Sequence, residues 1–425
     1  MVTIKAPAAR THRARALPAC GRPACLLLAC ALLACVFFAS CGRTGERGSG
    51  NAGPTRAAGP PHEAEAASVP RAEPSVDPAL DDAAAYLSGM PTGSGRYAAL
   101  EELPAWKTFA SEMQDEWQTY QRATLEPMAA WAAGLFPEAC GRTGAVFYPF
   151  GGPDAINVLT LFPAAKKFIL LGLEPAGNLP DLADPKTPRV ESFFRRFALL
   201  TSDFLKRGYF VTEVMNQTFK DGNPDGALPV MVFFIKRAGY TISSITRLEP
   251  DEPEGAAGWK ERPYFKQARR PKRPYGVRVD CFKPGDTEPT SVYYFSCDLA
   301  DAAVARNAAL YRLCEDQGGL ATFIKSASYL LHYSNFSRVR KFILEKSLYI
   351  VQDDTGVPYR LFLDGTWDIE LFGRYVRPVS DFKGVEQPDL RAAFEAGNAG
   401  VHPLPFHFGY HWKTKNDNLL FMKKR

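Results

Sequence analysis

The stretch from Phe323 to Phe362 carries the residue types of nucleophilic catalysis at suggestive spacing. In "FIKSASYLLH", Lys325, Ser328 and His332 recur three and four residues apart, which places them on one face if the segment is helical. Ser334 or Asn335 would then cap the helix that follows. A serine hydroxyl beside an imidazole, with a buried carboxylate from Asp353 or Asp354, holds the ingredients of a hydrolase. Lys325, Ser328, His332 and Asp354 are therefore the catalytic candidates. Against them, this stretch has neither the nucleophile elbow G-x-S-x-G nor S-x-x-K, and a helical Ser/His pair is usually structural. "DDTG" echoes the D-T-G of aspartic proteases, but that chemistry needs two such carboxylates sharing a proton, and a β-turn between "SLYIVQ" and "VPYRLF" explains it better.

A second constellation is "YPFGGPDAINVLTLFPAAKKFILLGLEP", Tyr148 to Pro175, which reads as strand, glycine turn, helix and strand. Gly151 and Gly152 permit close backbone approach, and Asp154 can cap or complement the helix that follows. Glu174 lies twenty residues after Asp154, near the place of the ribose-binding acid in dinucleotide folds. The full G-x-G-x-x-G is missing, and Asp154 would repel a phosphate at the turn. The turn resembles that of Rossmann-like methyltransferases, whose second strand ends in an acid that holds the ligand's ribose. Gly151, Gly152, Asp154 and Glu174 are thus the ligand-binding candidates, with a structural joint as the favoured reading and no cofactor expected.

No metal site is expected. His402, His407 and His411 fall in "HPLPFHFGYHW", where Pro403, Pro405 and Gly409 oppose a helix, and on a strand His407 and His411 stand about 13 Å apart. Cys140, Cys281, Cys297 and Cys314 allow three pairings if all four are bridged. A hairpin of "YGVRVDCF" and "TSVYYFSCDL" would set Cys281 opposite about Val292, leaving Cys297 roughly 17 Å away, so free thiols are at least as good a reading.

The elements that must position these residues alternate as in an α/β fold. A helical portion comes first, with Trp106, Phe109, Met113, Trp117 and Tyr120 in one apolar stripe suited to packing on a sheet. "ESFFRRFALLTSDFLKRGYFVT" is an amphipathic helix, and "LPVMVFFIKRAGYTISSITRL" a short apolar helix and a strand. The charged stretch Glu249 to Arg278 reads as a solvated hairpin loop, although its basic residues beside Trp259, Tyr264 and Phe265 would also suit anionic head groups. The fold class expected is α/β: a helical N-terminal portion followed by a mixed sheet with a degenerate Rossmann-like core. "YPFGGPDAINVLTLFP...LLGLEPAG", "KSASYLLHYSNFS" and "QDDTGVPYR" together resemble a family of uncharacterised bacterial envelope proteins over about residues 95 to 425. The resemblance implies a shared fold and export, and assigns no reaction.

Location is written in the first forty residues. Lys5, Arg10, Arg13, Arg15 and Arg22 precede the sixteen-residue apolar run Ala24 to Ala39, the pattern of a signal peptide. "FASC" then resembles a lipobox, with lipidation at Cys41. Residues 42 to about 80 are rich in Ala, Gly, Pro, Glu and Ser, a disordered tether. Residues 81–425 would form the globular body, either one domain or two packed subdomains at about 81–248 and 275–425. From Cys41 onward the chain carries 46 basic and 46 acidic residues, so net charge argues for no nucleic-acid partner. The expectation is a lipoprotein of the bacterial cell envelope, at the outer membrane or periplasmic face. Its membrane partner would be reached through the anchor, and its role would be ligand-binding or structural. A hydrolase acting on an envelope or extracellular substrate is the alternative.

Overall fold

The computed structural model describes residues 76–135, 143–180, 189–220, 224–250, 258–264, 275–396, 400–414 and 416–425. The signal peptide, Cys41 and all but the end of the tether lie outside these residues, as does Cys140. The tether's expected last residues are ordered: Asp77 caps helix α1 (Pro78–Leu87) through the amide of Ala79, and Leu80 is buried.

Short, wholly apolar strands drive the centre of the fold. Every residue of β1 (Ala145–Tyr148) is buried, as are the inner four of β2 (Lys167–Gly172) and all of β7 (Leu320–Ile324), which is the signature of parallel strands covered on both faces. With β6 (Thr290–Ser296) and β8 (Ser347–Gln352) they form a five-stranded parallel core in the order β8-β7-β1-β2-β6. In chain order of those strands this is 5-4-1-2-3, the doubly wound arrangement, whose switch point lies between β1 and β7.

Antiparallel strands flank that core. β5 (Gly276–Phe282), β3 (Thr241–Pro250) and β4 (Trp259–Pro263) extend it beyond β6. On the other side β11 (Asn418–Lys424) inserts antiparallel between β8 and β9 (Trp367–Gly373), and β10 (Val401–His402) closes the edge. Among the described residues the fold is α/β with a mixed sheet of eleven strands. Residues 81–248 and 275–425 interleave within it, since β6 lies beside β2 and β7 beside β1, and residues 70–425 make one compact unit.

The two-residue period of the strands sorts their side chains into two cores. Val146, Tyr148, Phe168 and Leu170 face one, and Ala145, Phe147, Ile169 and Leu171 the other. Over the first lie α2 (Pro104–Tyr120), α3 (Glu126–Leu135), α4 (Ala155–Leu161), α5 (Arg189–Arg207) and α7 (Leu228–Arg237), with α6 (Thr212–Phe219) following α5. The second is covered by α8 (Ala308–Glu315), α9 (Ser337–Lys346) and α10 (Pro388–Glu395). The aromatic stripe of α2 is buried, but it packs on its neighbouring helices: the rings of Phe109 and Phe194 lie 4.8 Å apart, and those of Trp117 and Phe233 6.0 Å apart.

Four expectations are revised. The charged stretch is not all loop, because β4 pairs with β3 and Trp259 stacks on Tyr275 with centroids 5.2 Å apart. Tyr264 is buried under the guanidinium of Arg247 and Trp259 is half-buried, while Phe265 lies outside the described residues. Cys281 faces Thr290, two residues from the expected partner, and Cys281, Cys297 and Cys314 are free buried thiols. "HFGYHW" is not a strand but a 3-10 turn over Gly409–Lys413, forced by the left-handed Gly409 (φ 77°).

Candidate functional site

The crevice at a doubly wound sheet's switch point is the default place for a ligand, and both quoted constellations arrive there. The turn after β1 brings Gly151, Gly152 and Asp154, and the turn after β7 brings Lys325 to Tyr329. The two turns are joined by a buried ion pair, Lys325 Nζ to Asp154 Oδ2 at 2.6 Å, with side-chain exposures of 3% and 2%. Asp154 also accepts from Asn157 Nδ2 (2.8 and 2.7 Å) and from the Tyr148 hydroxyl (3.1 Å). Lys325 in turn donates to the carbonyl of Gly208, the left-handed residue that stops α5. Asp154 thus occupies the N-cap position of α4, but its carboxylate holds a cation and makes no capping bond.

Glu174 is equally enclosed. Its carboxylate turns back over the glycine turn, so that a Cβ on Gly152 (φ 57°) would lie 3.5 Å from Oε2. The Tyr294 hydroxyl donates to its backbone carbonyl at 2.8 Å, and burial raises its pKa against hydrogen bonds from Thr212 and Tyr294 that lower it. With 2% of its surface exposed, Glu174 presents no open acid to a ribose.

The segment from Lys325 to His332 is not a helix carrying a catalytic face. After β7 the backbone enters the left-handed region at Ser326 (φ 54°), Ser328 (51°) and Tyr329 (54°), an arrangement that surrounding contacts must impose. The "DDTG" turn after β8 supplies those contacts. Asp353 Oδ2 accepts from the amide of Ser326 at 2.9 Å, Thr355 Oγ1 from that of Ala327 at 2.7 Å, and Asp354 Oδ2 from the Tyr329 hydroxyl. The turn itself closes by the amide of Gly356 on the carbonyl of Asp353, as expected, although Tyr359–Phe362 beyond it is 3-10 helix and not strand. Neither Ser334 nor Asn335 caps α9; the Asp301 carboxylate takes the amide of Arg338.

No nucleophilic relay forms among the candidates. Ser328 Oγ shares a hydrogen bond with the Tyr410 hydroxyl at 2.9 Å, while the ring of His332 packs edge-on against Tyr329. Burial pushes His332 down to about 4, against the neighbouring Asp354 carboxylate, so the imidazole is neutral. Asp354 is taken by Asn418 Nδ2 (2.9 Å) and faces His411 Nε2 at 3.4 Å. Burial lowers the pKa of His411, but Asp354 outweighs it and raises the ring above its ordinary value. Asp353, wholly enclosed, is pushed up to about 6 by burial and by the charge of Asp354, against donors that lower it.

Beside the ion pair lies a cavity of about 500 Å³ bounded by Glu116, Tyr120, Asn157, Lys325, His407 and Trp412. His407 joins Asp417 through Nδ1 and the carbonyl of Arg207 through Nε2, so both ring nitrogens are engaged. Among the described residues, the Tyr120 hydroxyl and Glu116 Oε2 have no hydrogen-bond partner. Sequence reasoning missed Tyr120, Asn157, Tyr410 and Asn418; only Asn157, three residues after Asp154, left a local signal. Among the described residues, no cluster of His, Cys, Asp and Glu could hold a metal ion, and no helix is long and apolar enough to cross a membrane. Compared with known proteins, the chain matches no family model, no curated protein and no solved structure.

Two outcomes follow for this site. Lys325→Met strands a buried carboxylate and is expected to destabilise the body by about 3–5 kcal/mol in urea unfolding. Lys325→Met with Asp154→Asn should recover part of that loss, and strictly additive losses would show that the pair is not coupled. The second outcome concerns pH. A carboxyl whose folded pKa is raised stabilises below its ordinary value of 3.8 and loses that contribution as pH rises through about 6. His332, held down to about 4, works in the opposite sense, since its neutral form is stabilising above 6.5 and that advantage is lost on acidification. Asp353→Asn, which cannot ionise, should therefore gain stability relative to the parent as pH goes from 4 to 7. A difference that stays flat across that range, followed by calorimetry, would contradict the raised pKa.

Proposed function

We propose that the chain is a lipoprotein of the bacterial cell envelope, anchored through Cys41, whose α/β body binds a small polar molecule at the switch-point crevice. The observation that carries the binding reading is the division of labour there. Asp154 and Lys325 satisfy each other, while the adjoining cavity keeps the Tyr120 hydroxyl and Glu116 Oε2 without partners in its wall. Buried polar atoms without partners are costly, and a ligand that hydrogen-bonds to them relieves that cost. Asp115 also borders the cavity, so with Glu116 it gives the wall two acids, and a ligand bearing an amino group suits it best.

A hydrolase is the second reading, favoured by the strained turn that carries Ser328. It ranks below binding because the partner of Ser328 is a phenol. Burial pushes Tyr410 up to about 12, and a group that high is no general base near neutral pH.

The anchor is tested by metabolic labelling with a fatty-acid analogue: the chain should carry the label and Cys41→Ala should not. Label persisting in the variant would remove the assignment. The crevice is tested by thermal-shift screening of the full chain against amino acids, polyamines and amino sugars. A stabilising compound should lose most of its effect in Tyr120→Phe and Glu116→Gln, and hits indifferent to both would place binding elsewhere.

A further inference from the structure

A second concavity, of about 520 Å³, shares no lining residue with the crevice. It runs between α3 and α4, and its walls are apolar, from Leu125, Ala129, Ala132, Ile156, Leu159 and Pro163. At one end, where α7 turns into β3, it meets two cations, Arg237 and Lys283. Arg237 is 91% enclosed (9% exposed) and uses only part of its fork: Nε donates to the carbonyl of Ser88 at 2.9 Å and one terminal nitrogen to Gln114 Oε1 at 2.6 Å. The other terminal nitrogen has no partner among the described residues. The guanidinium also lies 5.9 Å from the ring centroids of both Trp117 and Phe233, with no carboxylate against it among the described residues. Burial lowers its pKa to about 10. Lys283, half-buried, has its ammonium 5.0 Å over the ring of Tyr240 and makes no direct ion pair among the described residues; the nearby Asp286 carboxylate, which feels its charge, is bonded to Lys166.

A role as staple accounts for two donors of Arg237, tying α7 to α1 and α2, but not for the third or for Lys283. Buried charges are ordinarily paired, and an apolar trough ending in a buried arginine with a spare nitrogen and a half-buried lysine is complementary to one kind of molecule. The lone acid of the groove, Glu126, stands at the start of α3 and is bonded to Gln121 Nε2 at 3.2 Å. It lies nine residues along from Trp117, roughly 13 Å by helical rise, too far to neutralise Arg237.

We infer that this groove binds a free single-chain carboxylic acid, a fatty acid, with its carboxylate at Arg237 and Lys283 and its alkyl chain along α3 and α4. Arg237 meets the carboxylate through its unused terminal nitrogen and Lys283 closes on it from the half-exposed side.

The test is photo-crosslinking of the full chain in membrane vesicles with a diazirine-bearing dodecanoate, read by mass spectrometry of the labelled peptides. Label should fall on Glu126–Leu135 and Ala155–Pro163 and be displaced by dodecanoate, while dodecanol and dodecyltrimethylammonium should compete at least about tenfold less well, since charged hydrogen bonds are lost. Shortening the competitor should weaken it roughly fourfold per methylene. Lys283→Glu, on the half-exposed rim, should cut labelling about tenfold in a chain that still melts cooperatively, and Ala129→Trp, which fills the trough, should abolish it. Arg237→Lys guards against misfolding of Arg237→Gln and should bind better than it. Equal competition by alcohol and acid, or labelling unchanged by both Lys283→Glu and Ala129→Trp, would overturn the assignment.

Discussion

The ammonium of Lys325 is the point on which the switch-point region depends. It stands at the end of β7, and its two acceptors belong to other parts of the chain: Asp154 in the turn after β1, and the Gly208 carbonyl at the stop of α5. Because it is nearly without solvent, neither acceptor can be exchanged for water, and the pair is acceptable only with its hydrogen bonds complete. Asn157 and Tyr148 complete them on the acid's side. The glycine turn, the first crossover helix and the end of α5 are thereby fixed to one another by a charge that none of them carries.

The same constraint shapes the switch point of a fold that has the strand order of nucleotide-binding sheets. An acid following the glycine turn would repel a phosphate if it were free, and here it is paired with a buried lysine. Glu174, at the position of a ribose acid, is folded under the turn and held by Tyr294. What the crevice retains is a side cavity, displaced toward α2 and the C-terminal 3-10 turn. Its chemistry comes from Tyr120 and Glu116, which belong to the helical portion that precedes the Rossmann-like core.

Local signals were legible where local physics decides. The apolar runs of β1, β2 and α7, the stop at the glycine turn and the stripe of α2 follow from periodicity and turn chemistry, and they carry the fold class with them. Lys325, Ser328 and His332 have helical spacing but no helix, because Asp353 and Thr355 capture the amides of Ser326 and Ala327 and bend the chain into left-handed conformations. Those captors lie 27 and 28 residues away, and the partner of Lys325 lies 171 residues away, so no window of sequence contains them. The strand expected at His407 to His411 failed for a similar reason. A Cβ on Gly409 would sit 2.4 Å from Asp353 Oδ2, so the chain must turn there to approach the buried acid.

Asp353 and Asp354 show how two adjacent carboxylates are tolerated without bulk water. Asp354 faces His411, whose pKa it raises, and accepts from Tyr329 and Asn418. Asp353 gains only amides and the Thr355 hydroxyl, and it is the one whose charge is driven toward neutrality. The two acids divide a single stitch between them: Asp353 holds the backbone of the strained turn, and Asp354 holds its Tyr329 side chain and β11. Since β11 lies between β8 and β9, the antiparallel wing of the sheet is tied to the switch point through Asn418 and Asp354, so strain at Ser326 to Tyr329 is borne by the whole β7-β8-β11 unit rather than by the turn alone.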